Sequence, residues 1–203
     1  MQNRAAFDAL VARAQACRLC PRMEGRRRVL GHASGPLQAR VLFVAEAPGR
    51  LGGDRTGVPL TSDQSGRNFT RLLQSIGWSR DEVFVSNAVL CNPRDGRGRN
   101  DTPTRTEIRS CSAHLRDLLE ILDPPVVAAL GRTALAALAL IAPHEAELRR
   151  DVATALPWYG RLLVPLYHPG PRAQLHRTVD RQTEDFARLR EIVERSPGAR
   201  HNY

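Results

Sequence analysis

The chain has 203 residues, which is long enough for one domain with a substantial core and too short for two full domains. Its 30 basic and 21 acidic residues give a formal net charge of +9, which favours a polyanionic partner such as nucleic acid. All 30 basic residues are arginines, so no lysine can form a Schiff base, and only the N-terminal amine is left for that chemistry.

No run of apolar residues is long enough for a signal peptide or a membrane span. We therefore expect a cytoplasmic protein that has no membrane partner. In a reducing compartment, its four cysteines are more typical of metal ligands or buried thiols than of two disulfides.

The predicted elements begin with an amphipathic helix, because Phe7, Leu10 and Ala14 recur at helical spacing. Four short apolar runs then predict buried strands at residues 41–45, 83–90, 126–130 and 162–167. Helical patterns alternate with them at residues 69–76, 108–122, 132–141 and 179–193. Thr104 and Glu107 have the spacing of a capping box at the start of the second of these helices.

Strands that alternate with helices predict an α/β fold with three α/β/α layers and a central, mainly parallel, four-stranded sheet. We expect a single domain over residues 1–195 and a short tail at 196–203. Ligands bind such sheets beyond the carboxyl ends of the strands. Three of the predicted strands run into loops that carry polar or small residues there, namely Glu46-Ala-Pro-Gly49, Cys91-Asn-Pro93 and His168-Pro-Gly170.

The four cysteines are candidate ligands of one metal centre. Cys17 and Cys20 form a CxxC pair, Cys91 follows a predicted strand, and Cys111 lies on the apolar face of a predicted helix. Four thiolates suit zinc or an iron–sulfur cluster, and a single close pair favours the cluster mildly. Buried free thiols are the alternative. Redox catalysis is disfavoured, because the CxxC follows a helix instead of starting one.

Six short motifs follow one another between Cys17 and Arg172. They are CxxC from Cys17, AEAPG from Ala45, SNAVLC from Ser86, NDTP from Asn100, Cys111 and HPG from His168. This order resembles the uracil-DNA glycosylase superfamily, in particular its families four and five. The resemblance implies a [4Fe-4S] cluster on Cys17, Cys20, Cys91 and Cys111. It also implies a monofunctional DNA glycosylase that excises uracil in base-excision repair, with other deaminated bases as further candidate substrates. We expect the protein to be a monomer.

The match blends the two families. Glu46 followed by Ala47 is similar to family four, whereas residues 52–66, with Asp63 at an acidic position, are similar to family five. Leu60 occupies the position where these families usually place a phenylalanine against the flipped base, and Gly170 replaces a usual serine. These departures motivate an alternative, a catalytically weak or inactive nucleic-acid-binding member of the same fold.

The resemblance, together with the chemistry of N-glycosidic cleavage, assigns roles to individual residues. His168 is expected to donate a hydrogen bond to the base carbonyl, which by analogy with other single donors contributes roughly 3 kcal/mol. The Asn87 amide offers one donor and one acceptor to the imide edge of uracil. Either Glu46 or Asp63 is expected to orient the water, and the sequence does not decide between the two. The expected substrate-binding set is Ala45, Ala47, Pro48, Gly49, Leu60 and Asn87.

Contact with single- or double-stranded DNA is expected from arginines, because a base must be flipped out of the stack and phosphate contacts offset that cost. Arg172 and Arg177 follow the histidine motif and are the first candidates. A small hydrolase or a zinc-dependent binding module is a distant rival, since the sequence has no GxSxG, HExxH or P-loop pattern.

Overall fold

The computed structural model describes residues 2–196. The predicted tail at 196–203 therefore lies outside the described residues except for Ser196. The strands are β1 (Val41–Ala45), β2 (Phe84–Asn87), β3 (Val126–Leu130), β4 (Leu156–Trp158) and β5 (Arg161–Leu166). The helices are α1 (Gln2–Ala16), α2 (Gly53–Thr56), α3 (Gln64–Ser75), α4 (Arg105–Leu122), α5 (Arg132–Ala139), α6 (Pro171–Gln174) and α7 (Val179–Arg195).

The five strands form one sheet in the order β2-β1-β3-β5-β4. The pairs β1–β2, β1–β3 and β3–β5 are parallel, and β4 joins the edge antiparallel to β5. The predicted α/β class and mainly parallel sheet are confirmed, but the predicted strand number of four is wrong. Strand β4 has only three residues and contains Pro157, which is tolerated at a sheet edge and gives no alternating pattern.

Alternate side chains of the central strands pack on opposite faces of the sheet. Leu42 and Val44 of β1 face the layer that contains α1, α4 and α5. Phe43 faces α3 and α7, where its ring lies 5.0 Å from Phe69 and 5.9 Å from Phe186. Both apolar faces are thus covered by helices, which is the predicted three-layer arrangement.

Helix α4 begins as the sequence predicts. The Thr104 hydroxyl accepts a hydrogen bond from the backbone N–H of Glu107 at 3.2 Å, and the Glu107 carboxylate accepts one from the N–H of Thr104 at 2.7 Å. Among the described residues, no helix combines the length and the apolar character that crossing a membrane requires.

Candidate active site

The carboxyl edge of the sheet brings together residues that are far apart in sequence. Ala45 at the end of β1 is the register partner of Asn87 at the end of β2. On the other side, the N–H of Gly131 after β3 donates to the carbonyl of Leu166 at 2.8 Å. The segments that follow β1, β2, β3 and β5 therefore meet at this edge, where open parallel sheets bind ligands.

His168 follows β5 and is held as a neutral imidazole. The backbone N–H of Gly170 donates to its Nδ1 at 3.0 Å, so Nδ1 is an acceptor and the ring proton is on Nε2. The ring is partly accessible at the edge but surrounded by protein, and burial lowers the pKa of His168 to about 4, with Asp63 acting in the opposite direction. The result is an uncharged Nε2–H donor.

Asn87, at the end of β2, has a side-chain donor without a partner in the described part of the protein. The residue is 2% exposed, and its Nδ2 makes no hydrogen bond to any described residue. Leaving a buried donor unsatisfied costs about 1–3 kcal/mol, so this amide is available to donate to a ligand acceptor.

Glu46 is oriented by a residue that sequence reasoning missed. The hydroxyl of Thr133 donates to Glu46 Oε2 at 2.6 Å, whereas Oε1 takes part in no hydrogen bond within residues 2–196. Thr133 lies in the first turn of α5, just after Gly131. The segment after β3 carries no recognised motif, in contrast to the segments after β1, β2 and β5. Its position at the same edge of the sheet was nevertheless a usable signal.

Asp63 has a clear structural role. Its Oδ1 accepts from the N–H of Gly66 at 2.8 Å and caps α3. Its Oδ2 lies against the backbone of the AEAPG loop, because a Cβ on Gly49 or on Gly52 would lie 2.5 Å from this oxygen. A side chain at either position would force the Asp63 carboxylate to move. Leu60 nearby is partly buried and has a positive φ of 47°, an unusual conformation for leucine.

The loop after β1 is braced by two asparagines. The buried Asn92 donates from Nδ2 to the carbonyl of Pro48 at 2.6 Å and to Oδ1 of Asn100 at 3.0 Å. Asn100, from the NDTP motif, also accepts from the N–H of Arg50 at 2.8 Å. These contacts fix the shape of the segment from Ala45 to Gly49, including Ala47 and Pro48, that was predicted to bind substrate.

The two arginines predicted to bind DNA differ in their surroundings. Arg172 on α6 is exposed and forms no ion pair with any described residue. Arg177 donates from Nε and Nη2 to the buried Asp185 at 2.8 and 2.5 Å, so most of its guanidinium already ties this segment to α7. Leu175, between them, is 84% exposed, which is unusual for a large apolar side chain.

All four cysteines line one cavity, on the side of the sheet that carries α1 and α4. Cys17 and Cys20 follow α1, Cys91 follows β2, and Cys111 lies in α4 with its Sγ accepting from the N–H of Leu90 at 3.4 Å. Burial raises the pKa of Cys91 to about 11 and that of Cys111 to about 12. Among residues 2–196, no group of three or more His, Cys, Asp or Glu side chains is arranged to hold a metal ion.

Two arginines fasten the CxxC segment to its surroundings. Arg28 lines the cysteine cavity and donates from Nε and Nη2 to the carbonyl of Cys17 at 3.2 and 2.7 Å. Arg22 donates to both carboxylate oxygens of Glu107 at 2.9 and 2.7 Å and to Asp101 at 2.6 Å. Sequence reasoning gave neither arginine a role, because each forms its contacts across a loop.

A comparison with known protein families decides the family. The family model for the uracil DNA glycosylase superfamily matches residues 32–194, which is most of the chain. The chain belongs to this superfamily.

Characterised relatives of this superfamily member carry the names of two types. The chain is 32% identical to the Type-4 uracil-DNA glycosylase of Thermotoga maritima, over 80% of the chain and 81% of that protein. It is 29% identical to the Type-4 uracil-DNA glycosylase of Saccharolobus solfataricus, over 97% and 91%. It is also 32% identical to the Type-5 uracil-DNA glycosylase of Pyrobaculum aerophilum, over 81% and 83%. Similarity to both types agrees with the blend of motifs in the sequence.

Within this superfamily member, Asn87 ends β2, and Glu46 and His168 follow β1 and β5 at the same sheet edge. Asp63 approaches the loop after β1. The four cysteines form a second, separate group around their own cavity. The catalytic, substrate-binding and ligand roles of these residues stay predictions.

Proposed function

We propose that this superfamily member is a monofunctional uracil-DNA glycosylase of base-excision repair. It hydrolyses the N-glycosidic bond between uracil and deoxyribose in DNA and leaves an abasic site. The proposal depends on two donors at one edge of the sheet, the uncharged His168 and the buried, unpartnered Nδ2 of Asn87. The names of the Type-4 and Type-5 relatives give independent support.

The two donors match the charge that develops on uracil. As the bond between C1′ and N1 breaks, its electron pair stays with the base, and negative charge spreads to the carbonyl oxygens. Nε2–H of His168 donates to one of these oxygens, and Nδ2 of Asn87 donates to another acceptor of the same ring. Because both donors are fixed before the reaction, they stabilise the transition state more than the ground state.

Glu46 is the better placed of the two acidic candidates for the water. Thr133 occupies one of its carboxylate oxygens and leaves Oε1 for a water that adds to C1′. Oε1 accepts a proton from this water as the new C–O bond forms, and the proton balances the departing uracil anion, which is released as neutral uracil. Asp63 is occupied as the cap of α3 and supports the loop. We therefore assign the water to Glu46 and a positioning role to Asp63.

DNA would approach the edge where α6 lies. The base must leave the stack to reach His168, which costs a few kcal/mol. Arg172 is exposed on α6, shortly after His168 in the chain, and suits a phosphate contact. The exposed Leu175 suits an apolar contact with the opened base step. Arg177 braces this segment through Asp185, with part of its guanidinium left for phosphate.

The cysteine cavity suits a [4Fe-4S] cluster. Four thiol ligands from three chain segments surround it, and a four-iron cluster binds each thiolate at a different iron, so the ligands need not converge on one ion. Cys17, Cys20, Cys91 and Cys111 would hold the group, and Arg28 would place positive charge beside an anionic cluster. When bound, the cluster would serve as a cross-link between α1, the segment after β2 and α4.

The proposal is tested with oligonucleotides that carry one uracil, one hypoxanthine or one thymine in otherwise identical sequence, single- or double-stranded. We expect alkali-labile sites and free uracil from the uracil substrates and none from thymine. An inactive nucleic-acid-binding protein, the alternative that Leu60 and Gly170 suggested, would instead bind these strands without producing abasic sites, and that result would reject the proposal.

A further inference from the structure

The peptide group between Pro169 and Gly170 is held at both of its ends. Its carbonyl oxygen accepts from Nδ2 of Asn68 on α3 at 2.8 Å. Its N–H donates to Nδ1 of His168 at 3.0 Å. The carbonyl and the N–H of a trans peptide point in opposite directions, so fixing one end also fixes the other.

We propose that Asn68 is a positioning residue that keeps His168 in its Nε2–H tautomer by holding this peptide in one orientation. The proposal rests on the proposed function, because that function uses Nε2–H as the donor to uracil. Asn68 acts through the Pro169–Gly170 peptide and need not touch the substrate. Donation to the carbonyl also polarises the peptide and strengthens its N–H as a donor to Nδ1.

The opposite orientation of the peptide would have the opposite effect on His168. A rotated peptide would turn the carbonyl of Pro169 towards Nδ1, which would favour a proton on Nδ1 and leave Nε2 as an acceptor. An acceptor facing a developing base anion would repel it. Gly170 has no Cβ to resist such a rotation, so the hydrogen bond from Asn68 is what selects the productive orientation.

The Asn68 amide is itself held in place. Its Oδ1 accepts from Nε2 of Gln64 at 2.8 Å, and Oε1 of Gln64 accepts from Nη2 of Arg67 at 2.8 Å. Because Oδ1 already faces a donor, the NH₂ group of Asn68 is the end that faces Pro169. A directed series of hydrogen bonds thus runs along α3 from Arg67 to His168.

The test measures the tautomer of His168 in the DNA-free protein by ¹⁵N NMR of the imidazole nitrogens. Asn68→Leu removes the donor at similar size, and Asn68→Asp keeps an acceptor for Gln64 but cannot donate to Pro169. Gln74→Ala, at an exposed position of the same helix, is the control. Thermal unfolding and iron content identify any variant that has lost its fold.

In the wild type and in Gln74→Ala we expect Nε2–H alone, and in both Asn68 variants a mixture with Nδ1–H. The steady-state kcat for uracil excision should fall about tenfold or more in Asn68→Leu, with KM changed by less than about twofold. An unchanged tautomer in the folded Asn68 variants would overturn the proposal, even if their excision rates fell. If the wild type excises no uracil and the Asn68 variants still show the change of tautomer, the proposed function is rejected and the role of Asn68 in positioning His168 stands.

Discussion

Gly170 and His168 are packed so closely that a side chain at position 170 would require the imidazole of His168 to shift. A Cβ on Gly170 would lie 2.8 Å from Nδ1 and 3.3 Å from Cε1 of His168. It would also lie 3.1 Å from Oγ of Ser65, so α3 closes the other side. The glycine that departs from the usual serine of the related families is therefore matched to the position of the imidazole.

Replacing Gly170 by alanine should displace the His168 ring. A misplacement of about 1 Å can lower a rate by about 100-fold, and we expect a single-turnover excision rate reduced at least tenfold on that ground. Gly96→Ala is the matched control, because a Cβ there meets nothing within 4 Å. Equal rates for the two variants would show that the contact between Gly170 and His168 does not matter for catalysis.

The pH dependence should place the titration of His168 near pH 4. The folded protein favours the neutral ring, so between about pH 6.5 and pH 4 the unfolded chain binds more protons at this position than the folded chain. The His168 contribution to stability is therefore lost as the pH falls through that window. NMR titration gives the pKa directly, and urea unfolding at several pH values should show a smaller acid loss in His168→Gln. A measured pKa near that of free histidine would contradict the structure.

Removing the Thr133 hydroxyl should impair Glu46 without affecting the fold. A hydrogen bond to a charged group contributes about 1.5–3 kcal/mol to the stability of an arrangement. Because this bond holds Glu46 in its reactive orientation, Thr133→Val should reduce the excision rate by roughly tenfold or more. Thr183→Val on α7 removes a hydroxyl that bonds only to the Val179 carbonyl of its own helix, and it should retain the full rate. If Thr133→Val is as active as this control, Glu46 does not need its orienting contact.

Arg28 should matter for the cluster more than for uracil binding. Arg28→Met removes two hydrogen bonds to the carbonyl of Cys17 and a positive charge from the cysteine cavity. We expect less iron and sulfide per chain after anaerobic purification and faster bleaching in air. Arg13→Met on α1, which removes only an exposed pair with Asp117, is the control. Zinc in a colourless wild-type protein would reject the cluster itself.

The sheet and its helices could be predicted because their signals are local. The apolar runs of β1 and β3 and the stripe through Phe69 show the period of a strand or helix within a few residues. Strand β4 could not, since Pro157 and a length of three residues leave no pattern. The spacing of Asp63 and Gly66 carried a capping signal that was available in the sequence but was not used.

The positioning residues of the site could not be found from the sequence alone. Thr133 and Glu46 are 87 residues apart, and Asn68 and Pro169 are 101 residues apart. Each pair is joined only because the parallel strands end at one edge and α3 packs next to that edge. A single threonine or asparagine gives no pattern that distinguishes such a role from an ordinary surface residue.

The most direct test compares single-turnover release of uracil by the wild type and by His168→Ala, both with intact cluster content. We predict free uracil and one abasic site per uracil for the wild type. The His168→Ala rate should be lower by about 100-fold or more, as for removal of a preorganised donor elsewhere. A wild type that leaves uracil in both single- and double-stranded DNA, or a His168→Ala variant that is equally active, would contradict the proposed function.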